Sequence, residues 1–205
     1  MAQDLALIAW DFDGVLNDNI HEGRHLWARH FEAEIGHPVS SLTRHLSGEV
    51  FEAVVAGRRD LREAVAGWTE EVGYAPGPDA ILRYWFERDA NTDPAMQARL
   101  KALRARGLRQ VIATNNEDRR CRYIEEEMGF GPLIDGMFSS GRMGVRKPFA
   151  EFFAILERET EVPPGRILLV DDTEENLEAA SARGWQVFHY RAGAGEALDR
   201  RLGLG

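Results

Sequence analysis

The sequence predicts an α/β fold: a doubly wound parallel sheet interrupted early by an inserted block of helices. Apolar runs at Leu5–Trp10 and Ile167–Val170, the pattern of strands buried on both faces, and a short strand at Leu108–Ala113 each stop at polar residues. From Asp93 onward these runs alternate with helical segments, which implies crossover connections and helices on both sides of the sheet. Between the first strand and Asp93 the pattern is helical, with no strand signal. The expected division is therefore an α/β core formed by residues 1–16 and 90–205, with residues 17–89 as an α-helical insertion.

Each element has a local reason. His21–Ile35 carries Leu26, Trp27, Phe31 and Ile35 at helical spacing and stops at Gly36-His37-Pro38. Ser40 or Ser41 is placed to cap a short helix reaching Leu46. Glu49–Ala56, Leu61–Val72 and Pro78–Arg88 follow, separated by glycines. The aromatics Trp27, Phe31, Phe51, Trp68, Trp85 and Phe86 read most simply as a helical core of their own. Asp93-Pro94 starts a helix with a side-chain cap and a proline at its first position; it ends at Gly107. After the strand Leu108–Ala113, a helix runs from Glu117 to Gly129, and Ile134–Ser139 reads as a strand. Phe149–Thr160 is a helix, Ile167–Val170 a strand, Thr173–Arg183 a helix and Gln186–Tyr190 the last strand.

Composition narrows the function classes. At 205 residues the chain has enough apolar material for a core without staples, and its one cysteine, Cys121, excludes a disulfide framework or a cysteine metal site. A formal net charge of −9 argues against a nucleic-acid partner, because phosphate neutralisation needs a basic face. A small anionic substrate responds to the local field instead and stays open. The opening MAQDLALIAWDFD reads as a first strand and not as a signal peptide, and no apolar run reaches membrane-spanning length. A cytoplasmic protein without a membrane partner is expected, as a monomer or homodimer.

The polar residues that end the strands are the candidates for chemistry. Asp11 and Asp13 stand two apart just past the first strand, so an extended backbone sends both to one side. Like charges crowded there are costly unless a cation, a shared proton or a reaction uses them. Thr114 and Asn115 end a second strand, Asp171 and Asp172 a third, and Lys147 lies in the loop GVRKP. Each has a plainer explanation: a local turn for the first acids, a helix cap for Thr114 or Asn115, helix-dipole pairing for Asp171 and Asp172, a solvated charge for Lys147. Together those explanations leave four acids converging without a cause. The chain has two lysines, Lys101 and Lys147, against 23 arginines, so a lysine in this loop marks a position suited to a compact point charge. Asn17 and Asp18 continue the turn into the insertion, either as a hinge for its opening and closing or, the simpler reading, as ordinary turn residues. Arg24, Arg44, Arg58 and Arg59 of the insertion are placed to meet an anionic or hydroxylated substrate, although surface solvation is the simpler reading for most of them.

On these residues the chain resembles the haloacid dehalogenase-like (HAD) hydrolases. DFDGVL at 11–16, Thr114 in ATNN, Lys147 in RKP and LLVDDTEEN at 168–176 look like the four motifs of that family, in its order. The likeness spans the chain, and the insertion looks like the small helical cap of one HAD subclass. GVRKP and DDTEEN are similar to bacterial sugar-phosphate phosphatases and to the phosphatase domain of soluble epoxide hydrolases.

The resemblance implies a HAD-like Rossmannoid core and a phosphatase that acts on a small phosphorylated metabolite, a sugar phosphate or similar. It implies Asp11 as nucleophile, giving an aspartyl-phosphate, and Asp13 as the acid and then the base. It implies Mg2+ on the Asp11 carboxylate, the Asp13 backbone carbonyl and Asp172, with Asp171 acting through water. Thr114 and the Asn115 backbone would hold phosphoryl oxygens, and Lys147 would offset their charge. Phosphomutase chemistry is the main alternative. A haloacid dehalogenase fits less well, because halide leaves without a proton and relatives with that activity lack an acid at the position of Asp13. A non-enzymatic receiver module also fits less well, because its acids come in another order and it has no large helical insert.

Overall fold

In the computed structural model, which describes residues 5–204, hydrophobic periodicity becomes three separate cores. Met1–Asp4 and Gly205, the outer ends of the expected segments 1–16 and 90–205, lie outside the described residues. The central strands are β1 (Leu7–Trp10), β4 (Arg109–Thr114), β5 (Gly136–Ser139), β6 (Ile167–Asp171) and β7 (Gln186–His189). They form one parallel sheet in the order β5-β4-β1-β6-β7. β1 lies at its centre, pairing Trp10 with Ile112 on one side and with Val170 on the other.

Strand alternation sends consecutive residues to opposite faces. Ile8, Trp10, Ile112 and Val170 enter one core with Met96 and Leu100 of α6 (Pro94–Ala105), Ile124 of α7 (Asp118–Glu126) and Leu198 of α11 (Gly195–Leu202). Leu7, Ala9, Val111 and Leu169 enter the other with Phe152 and Leu156 of α9 (Ala150–Thr160) and Leu177 of α10 (Glu174–Ala182). All four residues of β1 are fully buried, which is why its sequence is apolar throughout and not alternating. α6 starts at Asp93, whose side chain accepts from Ala95 N, with Pro94 behind it.

Residues 31–88 fold into five helices: α1 (Phe31–Ile35), α2 (Val39–His45), α3 (Glu49–Val55), α4 (Leu61–Val72) and α5 (Pro78–Arg88). They enclose the third core, built on Phe31, Leu42, Val65, Trp68, Ile81 and Phe86. α4 has the strongest start, Asp60 accepting from the backbone N–H groups of Arg62 and Glu63.

The structure departs from the sequence expectations in several places. His21–Ile35 is not one helix. Glu22 and Gly23, both at positive φ, turn the chain back so that β2 (Ile20–His21) pairs with β3 (Arg24–His25), and a 3-10 turn at Leu26–Ala28 precedes α1. Neither Ser40 nor Ser41 caps α2, which begins at Val39 with Pro38 before it; Ser41 lies inside the first turn and donates back to the Pro38 carbonyl. Phe51 is not core: it is 50% exposed. Two short helices lie outside the elements read from the sequence, α11 and α8 (Ser140–Met143).

Candidate active site

The strand order puts the carboxyl ends of β1, β4 and β6 side by side, so three polar strand ends share one cleft. Asp11 N–H still donates to the Val170 carbonyl, which carries the sheet one residue past β1. Gly14, at φ +79°, then reverses the chain. A side chain there is excluded twice over, since a Cβ would stand 2.3 Å from Asp172 Oδ2. The glycine of DFDG thus lets the β6 acid approach the β1 turn.

Lys147 is the centre of charge. Its side chain is 1% exposed, with Nζ 2.6 Å from Asp171 Oδ2 and 3.0 Å from Asp11 Oδ1. Carboxylate oxygens of Asp11, Asp171 and Asp172 lie within 4.8 Å of one another. Burial first, then the Asp171 charge, holds the Asp11 carboxyl well above its ordinary range despite the lysine. Asp172 is raised for the same two reasons. Burial alone would lower the lysine, but the two acids outweigh it and raise it. Three carboxylates thus share one ammonium group, and ionising all three without a further cation is costly. Hard oxygen donors in that state suit a divalent cation such as Mg2+.

The four expected acids resolve into this trio and a separate Asp13. Asp13 Oδ1 accepts from Asn17 Nδ2 (3.2 Å) and Asn19 Nδ2 (2.8 Å), and Oδ2 accepts from Asn116 Nδ2 (2.8 Å). The same Asn116 amide donates to Thr114 Oγ1 at 2.8 Å. Three amides hold one carboxyl without placing a full charge beside it. Asp171 is equally well held but faces inward: it accepts from Lys147, from Thr173 N–H and from Asn176 Nδ2.

Asp11, Asp13, Thr114, Asn115, Lys147 and Asp172 all border one cavity of about 350 Å3; Asp171 sits behind them. The plainer explanations lose ground on geometry. Glu117, not Thr114 or Asn115, caps α7, and Lys147 is not solvated. The Asn115 side chain is committed to the lysine loop, accepting from Lys147 N–H and donating to the Lys147 carbonyl, so only its backbone is left to face a ligand.

Sequence reasoning missed Asn19, Asn116 and Asn176, and treated Asn17 as a turn residue. It also missed the buried pair Asp89 and Arg120, 3.7 Å apart at the cavity wall. The only signals were an amide-rich NDN after the first motif and the second asparagine of ATNN. Arg24, Arg44, Arg58 and Arg59 are exposed, and none borders the cavity. Helices α2 to α5 close over the cleft. Asp60 at the start of α4 pairs with Arg119 of α7 at 2.8 Å, and Glu52 of α3 pairs with Arg146 at 3.4 Å.

A parallel α/β sheet with a lysine-bridged acid trio at its strand ends defines a Rossmannoid protein with an acidic cleft of the kind that holds a hard cation. The chain belongs to the haloacid dehalogenase-like hydrolase family, whose model matches residues 5–184. It is 25% identical over 181 residues to a phosphoglycolate phosphatase of Pseudomonas syringae pv. tomato, covering 87% of this chain and 66% of that protein. It is 27% identical over 113 residues to a sesquiterpene phosphatase of Aspergillus oryzae, covering 55% and 58%. The chain thus spans less than two thirds of these relatives. In fold it is similar to a HAD family enzyme of Bacteroides thetaiotaomicron solved in complex with magnesium and inorganic phosphate: TM-score 0.79, 17% identity, 92% of this chain and 96% of that one. It is also similar to the L-2-haloacid dehalogenase of Xanthobacter autotrophicus: TM-score 0.64, 20% identity, 98% and 83% covered. No helix among the described residues is long and apolar enough to cross a membrane.

Proposed function

We propose that this chain hydrolyses phosphomonoesters of small metabolites through an aspartyl-phosphate, with Mg2+ as cofactor. The observation that carries the reading is the different treatment of two acids bordering one cavity. Asp11 touches the lysine and the other acids, whereas Asp13 is held by amides alone. A nucleophile needs charge compensation beside the incoming phosphoryl group, and a proton carrier needs orientation.

In this reading an Asp11 carboxylate oxygen attacks phosphorus and the ester bond to the leaving oxygen breaks. Asp13 gives that oxygen its proton, then takes one from the water that hydrolyses the aspartyl-phosphate. Thr114 and the Asn115 backbone orient phosphoryl oxygens, and Lys147 offsets their charge. Mg2+, held by the Asp11 carboxylate, the Asp13 carbonyl and Asp172 with Asp171 behind, would neutralise charge on the transferring group. Asp171 is already taken by Lys147, Thr173 and Asn176, which supports its indirect role. Residues 17–89 act as the cap that covers the leaving group. A halide needs no proton, so an oriented Asp13 favours esters over carbon–halogen bonds. The curated relatives named above as phosphatases support the same choice.

The test is a screen of the purified protein against phosphorylated metabolites and acetyl phosphate, with Mg2+ and with EDTA. Turnover is expected with Mg2+, absent in EDTA and absent in Asp11→Asn. Full activity in EDTA, or in Asp11→Asn, would overturn the mechanism. Strict dependence on a bisphosphate activator would reassign the chain to a mutase.

A further inference from the structure

We propose that the ester handled by this site carries an apolar alcohol, a short alkyl or aryl group, in preference to a polyol or a second anionic group. The inference rests on the phosphatase reading above and concerns the half of the cavity that reading leaves unassigned.

The same cavity is bordered by Ile20, Leu46, Phe51, Val54, Val55 and Trp85. Phe51, Val54 and Val55 stand at i, i+3 and i+4 on α3, so one helix face is turned to the cavity. Among the described residues four large hydrophobics are exposed, and two of them, Ile20 (37%) and Phe51 (50%), border this cavity from different elements. Apolar surface left open beside a reactive centre gains free energy when an apolar ligand covers it.

Charge points the same way. Besides Lys147, the basic groups bordering the cavity are Arg120 and His25, and both already face Asp89, at 3.7 Å and 3.5 Å. The Arg120 guanidinium stacks on Phe86 and Tyr123 and donates to the Phe86 carbonyl through Nη1; its Nη2 has no hydrogen-bond acceptor. A second anion there meets a cation already balanced by a carboxylate. Glu117 is spent capping α7, accepting from Arg119 and Arg120 N–H groups. Sugar hydroxyls set against Leu46, Val54 and Val55 would go unpartnered, each at roughly tenfold or more in affinity.

The experiment measures kcat/KM of the Mg2+-supplied enzyme for ethyl, propyl, butyl and hexyl phosphate, whose alkoxides are nearly equal leaving groups. Glycerol 1-phosphate, 2-phosphoglycolate and acetyl phosphate are run alongside. The alkyl series is expected to rise about fourfold per methylene, from ~0.8 kcal/mol per buried CH2. Propyl phosphate should exceed glycerol 1-phosphate, of equal chain length, by about tenfold or more. Phe51→Ser should flatten the chain-length slope, and Phe51→Leu should keep it. A flat or inverted series, preference for glycerol 1-phosphate or 2-phosphoglycolate, or an unaltered slope in Phe51→Ser overturns the inference while acetyl phosphate is still hydrolysed. No turnover of any compound, acetyl phosphate included, overturns the phosphatase reading itself.

Discussion

The floor and the roof of the cavity are built on opposite principles. On the floor almost every polar atom has a partner: Lys147 lies between Asp11 and Asp171, three amides hold Asp13, and Asn176 braces Asp171. On the roof the helices supply hydrocarbon, and they meet the core through exposed or half-exposed ion pairs such as Asp60–Arg119 and through the buried Arg120, which stacks on Phe86 of α5 and donates to its carbonyl. Buried charges must be fixed in one geometry to be tolerated, so the floor is rigid by necessity. Apolar contact is non-directional, so the roof tolerates different shapes.

The most severe way to break the comparison is to remove the floor's cation. Lys147→Met leaves Asp11 and Asp171 buried beside each other without compensation. The metal-free protein should lose about 3–5 kcal/mol of stability in chemical denaturation. Turnover should fall on the order of 10²–10³-fold or more. A variant as stable as the parent would mean that the ion pairs are not structurally required.

Matched glycines give a finer contrast between the two regions. Gly14→Ala, at φ +79°, drives a methyl group into the Asp172 carboxylate, 2.3 Å from the ideal Cβ. Gly36→Ala, at φ +83° after α1, meets nothing within 4 Å. Both should cost about 1–2 kcal/mol for left-handed backbone. Only Gly14→Ala should also reduce kcat, about tenfold or more, as Asp172 is displaced. Equal activity in the two variants would remove Asp172 from the reaction.

The smallest expected effect lies where floor and roof meet. Its hydrogen bond to Asp89 raises the His25 pKa above 6.5; burial and Arg120 oppose this, while the charges of Asp89 and Asp13 add to it. Protonated His25 is thus favoured in the folded state. Its stabilisation is complete below the ordinary value of 6.5 and is lost as pH rises through the raised one. His25→Gln should remove this decline from thermal midpoints measured across neutral pH. An identical profile in the variant would show that the pair contributes nothing.

Much of the floor was legible in the sequence because its parts are local. An apolar run ending in Asp11, another ending in Thr114 and a third ending in Asp171 each announce a strand end, and parallel alternation brings strand ends together. Asp93-Pro94 and Leu61–Val72 were readable for the same reason, as a cap and a periodic face within one stretch of chain.

What the sequence by itself determined is therefore the sheet, most of its flanking helices, the acids at the strand ends and the lysine of the RKP loop. Tertiary structure decided what lies between them. It decided that Asn116 meets Asp13 across 103 positions of chain, that Asn19 and Arg120 converge on Asp89, and that Asp13 stands apart from the trio. It also decided that Phe51 borders a cavity and does not fill a core. An asparagine or phenylalanine has the same local propensity in either role. Its partner is fixed only when the turn at Gly14 and the packing of α3 over the sheet bring distant segments within a few ångströms.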